Sequence, residues 1–164
     1  MSINYCPILS TLGYILSPDG KSVLLSHRIA RSSDEQFGKY NGLGGHMEAE
    51  EDAAACMIRE IREEAGIKVT AMTLRGTVNW TNFGKHGENW LAFVFLITAF
   101  EGEPKSSNEE GTLSWIPLSE MNKYPMWEGD RYFLPLVFDN DPRPFHAHLP
   151  YQGDHPVAWH CTRI

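Results

Sequence analysis

The stretch from Gly45 to Ile67 constrains this chain more than any other. Ala53 to Ala65 contains no Pro or Gly and is rich in Ala and Glu; Glu51 and Asp52 precede it and Gly66 follows it. Acid at the start and glycine at the stop are what a helix dipole and a left-handed cap favour, so a helix over 53–65 is predicted. At about 100° per residue, Ala54, Ile58, Ile61 and Ala65 form an apolar stripe, and Glu60, Glu63 and Glu64 gather on another face. Carboxylates three or four residues apart repel by roughly a few tenths of a kcal/mol per pair, so stability gives little reason to cluster them. A hard divalent cation gives one: Mg²⁺ takes carboxylate oxygens and waters and keeps positions for substrate phosphates. Taken alone, Arg59-Glu60-Ile61-Arg62-Glu63-Glu64 also reads as a solvated face on which Arg59 pairs with Glu63.

With 164 residues, 42% of them hydrophobic, the chain suits one domain, 1–164, with a sizeable core. Its net charge of −7 argues against a surface for DNA or RNA, while a small anionic substrate can still arrive with metal ions. Cys6, Cys56 and Cys161 are odd in number and lack metal-ligand spacing, which suits reduced thiols. Cys56, one turn before Glu60, reads as a small packing residue. No basic segment precedes the apolar N-terminal residues and no apolar run nears membrane-spanning length, so a cytoplasmic protein without a membrane partner is expected. The sequence does not set an oligomeric state.

In chain order, residues 8–16 and 23–25 read as a hairpin around Ser17-Pro18-Asp19-Gly20. His27, Arg28 and Arg31 open a polar loop, read either as solvated loop charge or with Arg28 or Arg31 approaching substrate phosphate. Gly42, Gly44 and Gly45 allow close backbone approach ahead of the acidic helix. A strand and a turn are expected in 69–78, a polar connection in 79–88, and a central strand buried on both faces in 90–100. A short strand at 113–116, a short helix from Ser119, a helix from Met126 to about Phe138 with Pro135 inside it, and a hairpin of 145–151 with 157–162 complete the reading. His146, His148, His155 and His160 have the spacing of strands and loops, not of a zinc cage.

The spacing Gly45-x5-Glu51-x7-Arg59-Glu60-Ile61-x-Glu63-Glu64-x-Gly66-Ile67 matches every position of the Nudix box, and on it the chain resembles the Nudix hydrolases. Beyond the box, Tyr40 to Gly45, Glu110 with Trp115, Met126 to Asp130, and Phe145-His146 with Gln152-Gly153 resemble the MutT-type branch, particularly animal enzymes that hydrolyse oxidised purine nucleoside triphosphates. The resemblance implies an α+β fold, an α/β/α sandwich around a central mixed sheet. It implies Mg²⁺, with Mn²⁺ as substitute, on Glu60, Glu63, Glu64, Glu110 and the Gly44 carbonyl; Glu109 is the alternative to Glu110. Arg59 would orient the glutamates and Glu51 would tie loop to helix, and Glu60 would be either ligand or general base. Asn41 and Asp130 fall where related enzymes read a purine edge and Trp127 at a stacking position; turn formation by Asn41 and core packing of Trp127 are the structural alternatives. The animal enzymes carry two adjacent aspartates where this chain has Gly129-Asp130.

These matches imply hydrolysis of an oxidised purine nucleotide such as 8-oxo-dGTP to monophosphate and pyrophosphate, with a small-molecule nucleotide as substrate and no nucleic-acid polymer as partner. Nudix groups acting on ADP-ribose or dinucleoside polyphosphates carry a Pro or Tyr beyond the box where Asn82, Phe83 and Gly84 stand here, which disfavours that alternative. A nucleotide sensor without turnover is the third reading; an altered box glutamate would favour it, and none is altered.

Overall fold

Tyr14 and Ile15 are both buried, as are Val23, Leu24 and Leu25. Successive strand side chains point to opposite faces, so such runs require cover on both sides of a sheet. A computed structural model, describing residues 4–164, supplies that cover. Tyr14, Val23, Leu25 and Val94 enter one core with Phe133, Val137 and Phe145. Ile15, Leu24, Phe95 and Ile97 enter the other with Met57, Ile61 and Ala65.

The strands are β1 (Ile8–Leu16), β2 (Ser22–Arg28), β3 (Tyr40–Asn41), β4 (Lys68–Phe83), β5 (Glu88–Glu101), β6 (Ser107–Asn108), β7 (Gly111–Pro117), β8 (Phe145–Gln152), β9 (His155–Pro156) and β10 (His160–Arg163). The helices are α1 (Ala53–Ala65) and α2 (Asp130–Phe138), with a 3₁₀ turn at Leu118–Lys123. The main sheet runs β10-β8-β4-β5-β1-β2-β7-β6. It is mixed: β1 pairs β5 and β4 pairs β8 in parallel, while β4–β5, β1–β2 and β2–β7 are antiparallel. With α1 on one face and α2 on the other, this is the expected α+β sandwich. No helix among the described residues is long and apolar enough to cross a membrane.

Four local expectations are corrected. First, β4 does not end near Val78 but continues to Phe83, because β5 and β8 both offer it partners there, Trp80 opposite Trp90 and Asn79 opposite His148. Second, α2 begins at Asp130 and not at Met126; Asp130 N–H bonds to Trp127 O in a preceding turn. Third, the closing hairpin is split: β8 pairs first with the short β9 (Tyr151 opposite Pro156) and then with β10, His160–Arg163, while Val157 N–H bonds to Pro150 O and 157–159 carry no strand. Fourth, α1 has the predicted bounds but a different buried face. Ala54 and Ile58 are exposed, and Cys56, Met57, Ile61 and Ala65 are buried. The helix is rolled toward its Cys56–Glu60–Glu64 row, which brings two of the glutamates in from solvent.

Candidate active site

Local chemistry holds the acidic helix in place. The Asp52 carboxylate accepts Ala55 N–H at 2.8 Å, and Gly66, at φ 73°, ends the helix by donating to Arg62 O at 3.0 Å. The preceding loop is stitched to β1 through Thr11 N–H to Gly45 O (2.9 Å) and Leu43 N–H to Gly13 O (2.9 Å). A Cβ on Gly44 would lie 2.0 Å from Thr11 O, and one on Gly45 would lie 2.6 Å from Glu60 Oε1. Only glycines let this loop run between β1 and the Glu60 row.

Arg59 organises the acids. It donates to both Glu51 oxygens, from Nη2 at 2.6 Å and from Nε at 2.9 Å, and through Nη1 to Glu60 Oε1 at 2.9 Å and Glu63 Oε2 at 3.3 Å. Glu51 in turn accepts Glu48 N–H at 2.9 Å, fastening loop to helix. The Arg59 hydrogen bonds hold the Glu51 carboxyl down at about 2. Glu60 is displaced upward, by burial first and then by the charges of Glu63 and Glu110, against the pull of Arg59. Glu64 is pushed up to about 8, by burial first and then by Glu110 and Glu60. Desolvated carboxylates that raise one another in this way are short of positive charge, and a divalent cation fits that deficit.

A cleft of about 550 Å³ gathers Glu60, Glu64, Glu110, Arg28, Asn41, Trp127 and Asp130 along one continuous surface, with Gly44 and Gly45 in its wall. Arg28 pairs with Glu110 at 2.7 Å and with Asp34 at 2.7 Å, so it positions Glu110 as well as facing the cleft. Glu109 is exposed and lines nothing. Glu63 is not brought into the cleft; its side chain is 59% exposed and pairs with Arg59. Among the described residues no three acidic, His or Cys side chains already converge to ligating geometry. Cys56 is buried against Thr11, and burial pushes its thiol up to about 11, so it packs and does not attack.

The other end of the cleft is aromatic and sparsely polar. Trp127 packs in the core, as its structural alternative has it, and also lines the cleft, with Lys39 Nζ 4.3 Å from its ring centre. The Nδ2 of Asn41 is buried without a hydrogen-bond partner. The Asp130 side chain makes no hydrogen bond among the described residues, and burial pushes its carboxyl up to about 7. Sequence reasoning missed Trp80, Phe83, Trp90 and His46 as cleft residues. Phe83, 4.7 Å from Trp127, stands within 79–88, the expected polar connection, which here is strand as far as Phe83. His46, at the second position of the box, leans on Trp90 at 4.9 Å, and its adjacency to Gly45 was the available signal.

The NUDIX domain model matches residues 7–137. An uncharacterized Nudix hydrolase of Bacillus subtilis is 35% identical over 57% of this chain; the match spans 61% of that protein, about three fifths of its length. The oxidized purine nucleoside triphosphate hydrolase of Danio rerio is 27% identical over 75% of this chain and 76% of its own length. The CTP pyrophosphohydrolase of Escherichia coli is 36% identical over 79% and 89%. Among solved structures, a MutT protein from Bacillus halodurans superposes with a TM-score of 0.80 at 26% identity, covering 94% of this chain and 97% of that one.

Proposed function

Because this chain belongs to the Nudix hydrolase family, whose members act on nucleoside phosphate anhydrides, we propose that it is a Mg²⁺-dependent nucleoside triphosphate pyrophosphohydrolase. Its substrate is an oxidised purine nucleotide such as 8-oxo-dGTP, cleaved to the monophosphate and pyrophosphate. The observation that carries the base assignment is Asn41 Nδ2, a buried donor without a partner, in the same cleft as the unbonded carboxyl of Asp130. An unmet buried polar group costs roughly 1–3 kcal/mol, and a ligand that supplies the missing partner recovers it. A guanine-type edge presents an acceptor oxygen beside two N–H donors, the complement of an amide N–H and a carboxylate. Trp127 and Phe83 offer apolar surface for the ring, and the volume suits a nucleotide-sized ligand.

At the acidic end, Glu60, Glu64, Glu110 and the Gly44 carbonyl would hold Mg²⁺ or Mn²⁺, with Glu63 next to them on the rim. When bound, the cation neutralises phosphate oxygens and acidifies water. Arg59 keeps Glu60 oriented and Arg28 keeps Glu110 at the cleft, so that Glu60 would act either as one of those ligands or as the base that takes a proton from water. Attack in line on phosphorus then releases pyrophosphate.

The E. coli relative's name supports a second reading, CTP, because a cytosine edge also offers an amino donor and ring acceptors. A panel of 8-oxo-dGTP, dGTP, dATP, CTP and ADP-ribose, assayed for pyrophosphate, phosphate and nucleoside products, separates the readings. The purine reading predicts that Asp130→Asn lowers kcat/KM for the preferred purine about 5- to 150-fold and for CTP far less. Equal slowing of every nucleotide would make Asp130 a structural helix-start residue and remove the base assignment. Metal-dependent binding without any turnover would replace the enzyme with the sensor reading.

A further inference from the structure

Tyr151, on β8, sends its hydroxyl under the first turn of α2, where it accepts Gly129 N–H at 3.0 Å. The residue is only 2% exposed, and its ring packs edge-on against Phe83 at 4.8 Å and Trp127 at 6.4 Å, both cleft residues. A Cβ on Gly129 would stand 2.2 Å from that hydroxyl and 3.0 Å from the ring Cζ. Any side chain at 129 would force Tyr151 or the turn before α2 to shift. The α2 N-terminus has no side-chain cap of its own, so the hydroxyl satisfies an amide there that would otherwise lack an acceptor. The next residue is Asp130.

We propose that Tyr151 is a specificity-determining residue: by filling the space of a side chain at 129 and pinning the backbone that carries Asp130, it leaves Asp130 as the single carboxylate presented to the base. This rests on the base-reading role given to the cleft above. The cleft's other acids, Glu60, Glu64 and Glu110, form the separate acidic cluster. Selectivity for one purine edge over a pyrimidine then depends on how firmly a phenol oxygen on β8 holds the turn before α2. Tyr151 acts through Asp130, so it is a positioning residue and not a catalytic one.

The test uses the full chain as wild type, Y151F, G129A and Y151F/G129A, with kcat and KM for 8-oxo-dGTP and CTP and thermal melts. Y151F is expected to raise KM for 8-oxo-dGTP about 5- to 20-fold, to leave kcat within about twofold, and to leave CTP unchanged, consistent with loss of one buried hydrogen bond. G129A should lower Tm strongly beside Tyr151 and much less in the Y151F background. A wild-type purine preference that Y151F leaves untouched, or additive effects on Tm, overturns the proposal alone. A wild type without purine preference overturns the functional reading and this proposal with it. Should Y151F not fold, exchange of the Gly129 amide in the wild-type protein decides: slowing by added 8-oxo-dGMP but not by CMP supports the proposal, and an equal or absent response overturns it.

Discussion

Beside each of the two helices lies an arginine–carboxylate cluster, and the clusters are built to opposite ends. At the C-terminus of α2, Arg75 and Arg163 bind Asp139, and Arg143 and Arg163 bind Asp141, three cations for two acids. Hydrogen bonds from Arg163 hold Asp139 below the usual carboxylate range, and those from Arg143 do the same for Asp141. Buried Arg75 also binds the carbonyls of Leu136, Val137, Asp139 and Asp141, closing the helix end. Beside α1, Arg59 faces Glu48, Glu51, Glu60 and Glu63, and Arg28 on β2 faces Asp34 and Glu110, with Glu64 alongside, two cations for seven acids. There Glu60 and Glu64 are displaced upward. Opposite charges in contact therefore say little about chemistry. Acid left over after pairing, and half-buried, marks the place where something positive is to be supplied.

Removing the excess acid should break the contrast most. Glu60→Gln with Glu64→Gln is expected to lower turnover by roughly 10³-fold while the fold persists, and to raise Tm without metal as the desolvation and then the mutual repulsion of the two carboxyls disappear. Steady-state rates with Mg²⁺ and paired melts check both halves. Near-wild-type rates in the folded double variant would sink the assignment.

Next in size is an exchange of roles between the arginines. Arg75→Ala strips the buried cap from α2 and should cost about 3–5 kcal/mol of stability by denaturant unfolding, with kcat per folded molecule unchanged. Arg59→Ala should do the reverse, losing rate far more than stability, because Glu60 and Glu51 lose their common anchor. If Arg75→Ala abolished turnover in protein still folded at assay temperature, the division between structural and reactive clusters would be wrong.

The smallest effect expected is on the pH dependence of stability, where the clusters should pull oppositely. The folded-state pKa of Glu64, about 8, lies above its ordinary 4.5, so its contribution is present in full below the ordinary value and is lost as pH rises toward and through 8. Asp139 is depressed, so its contribution is present above the ordinary carboxylate value and is lost as pH falls through the lower one. Melts without added metal should show Glu64→Gln flattening the alkaline side of the profile and Asp139→Asn flattening the acid side. The same limb flattened by both would contradict the contrast.

How much of this was legible in sequence follows from how local each cause is. The bounds of α1 were legible because Asp52 and Gly66 act within one turn of the helix they delimit. The acidic row was legible from its spacing, but the roll of α1 that buries Glu60 and Glu64 was not, since it depends on β1 and the Gly44–Gly45 loop. The choice of Glu110 over Glu109 needed Arg28, eighty-two residues away in the chain. The end of β4 was misjudged because polar Asn79 and Asn82 signal a loop until β8 arrives as a second partner. Gly129 read as a missing carboxylate; only the position of Tyr151 shows what stands in that space.

The most direct test of the central claim is a Mn²⁺ titration followed by electron paramagnetic resonance on wild type, the Glu60→Gln/Glu64→Gln variant and an Asp139→Asn/Asp141→Asn variant. The excess-acid account predicts that the wild type and the Asp variant bind Mn²⁺ alike, while the Glu variant loses binding by at least about tenfold in Kd. Undiminished binding in the Glu variant, or its loss in the Asp variant, would contradict it.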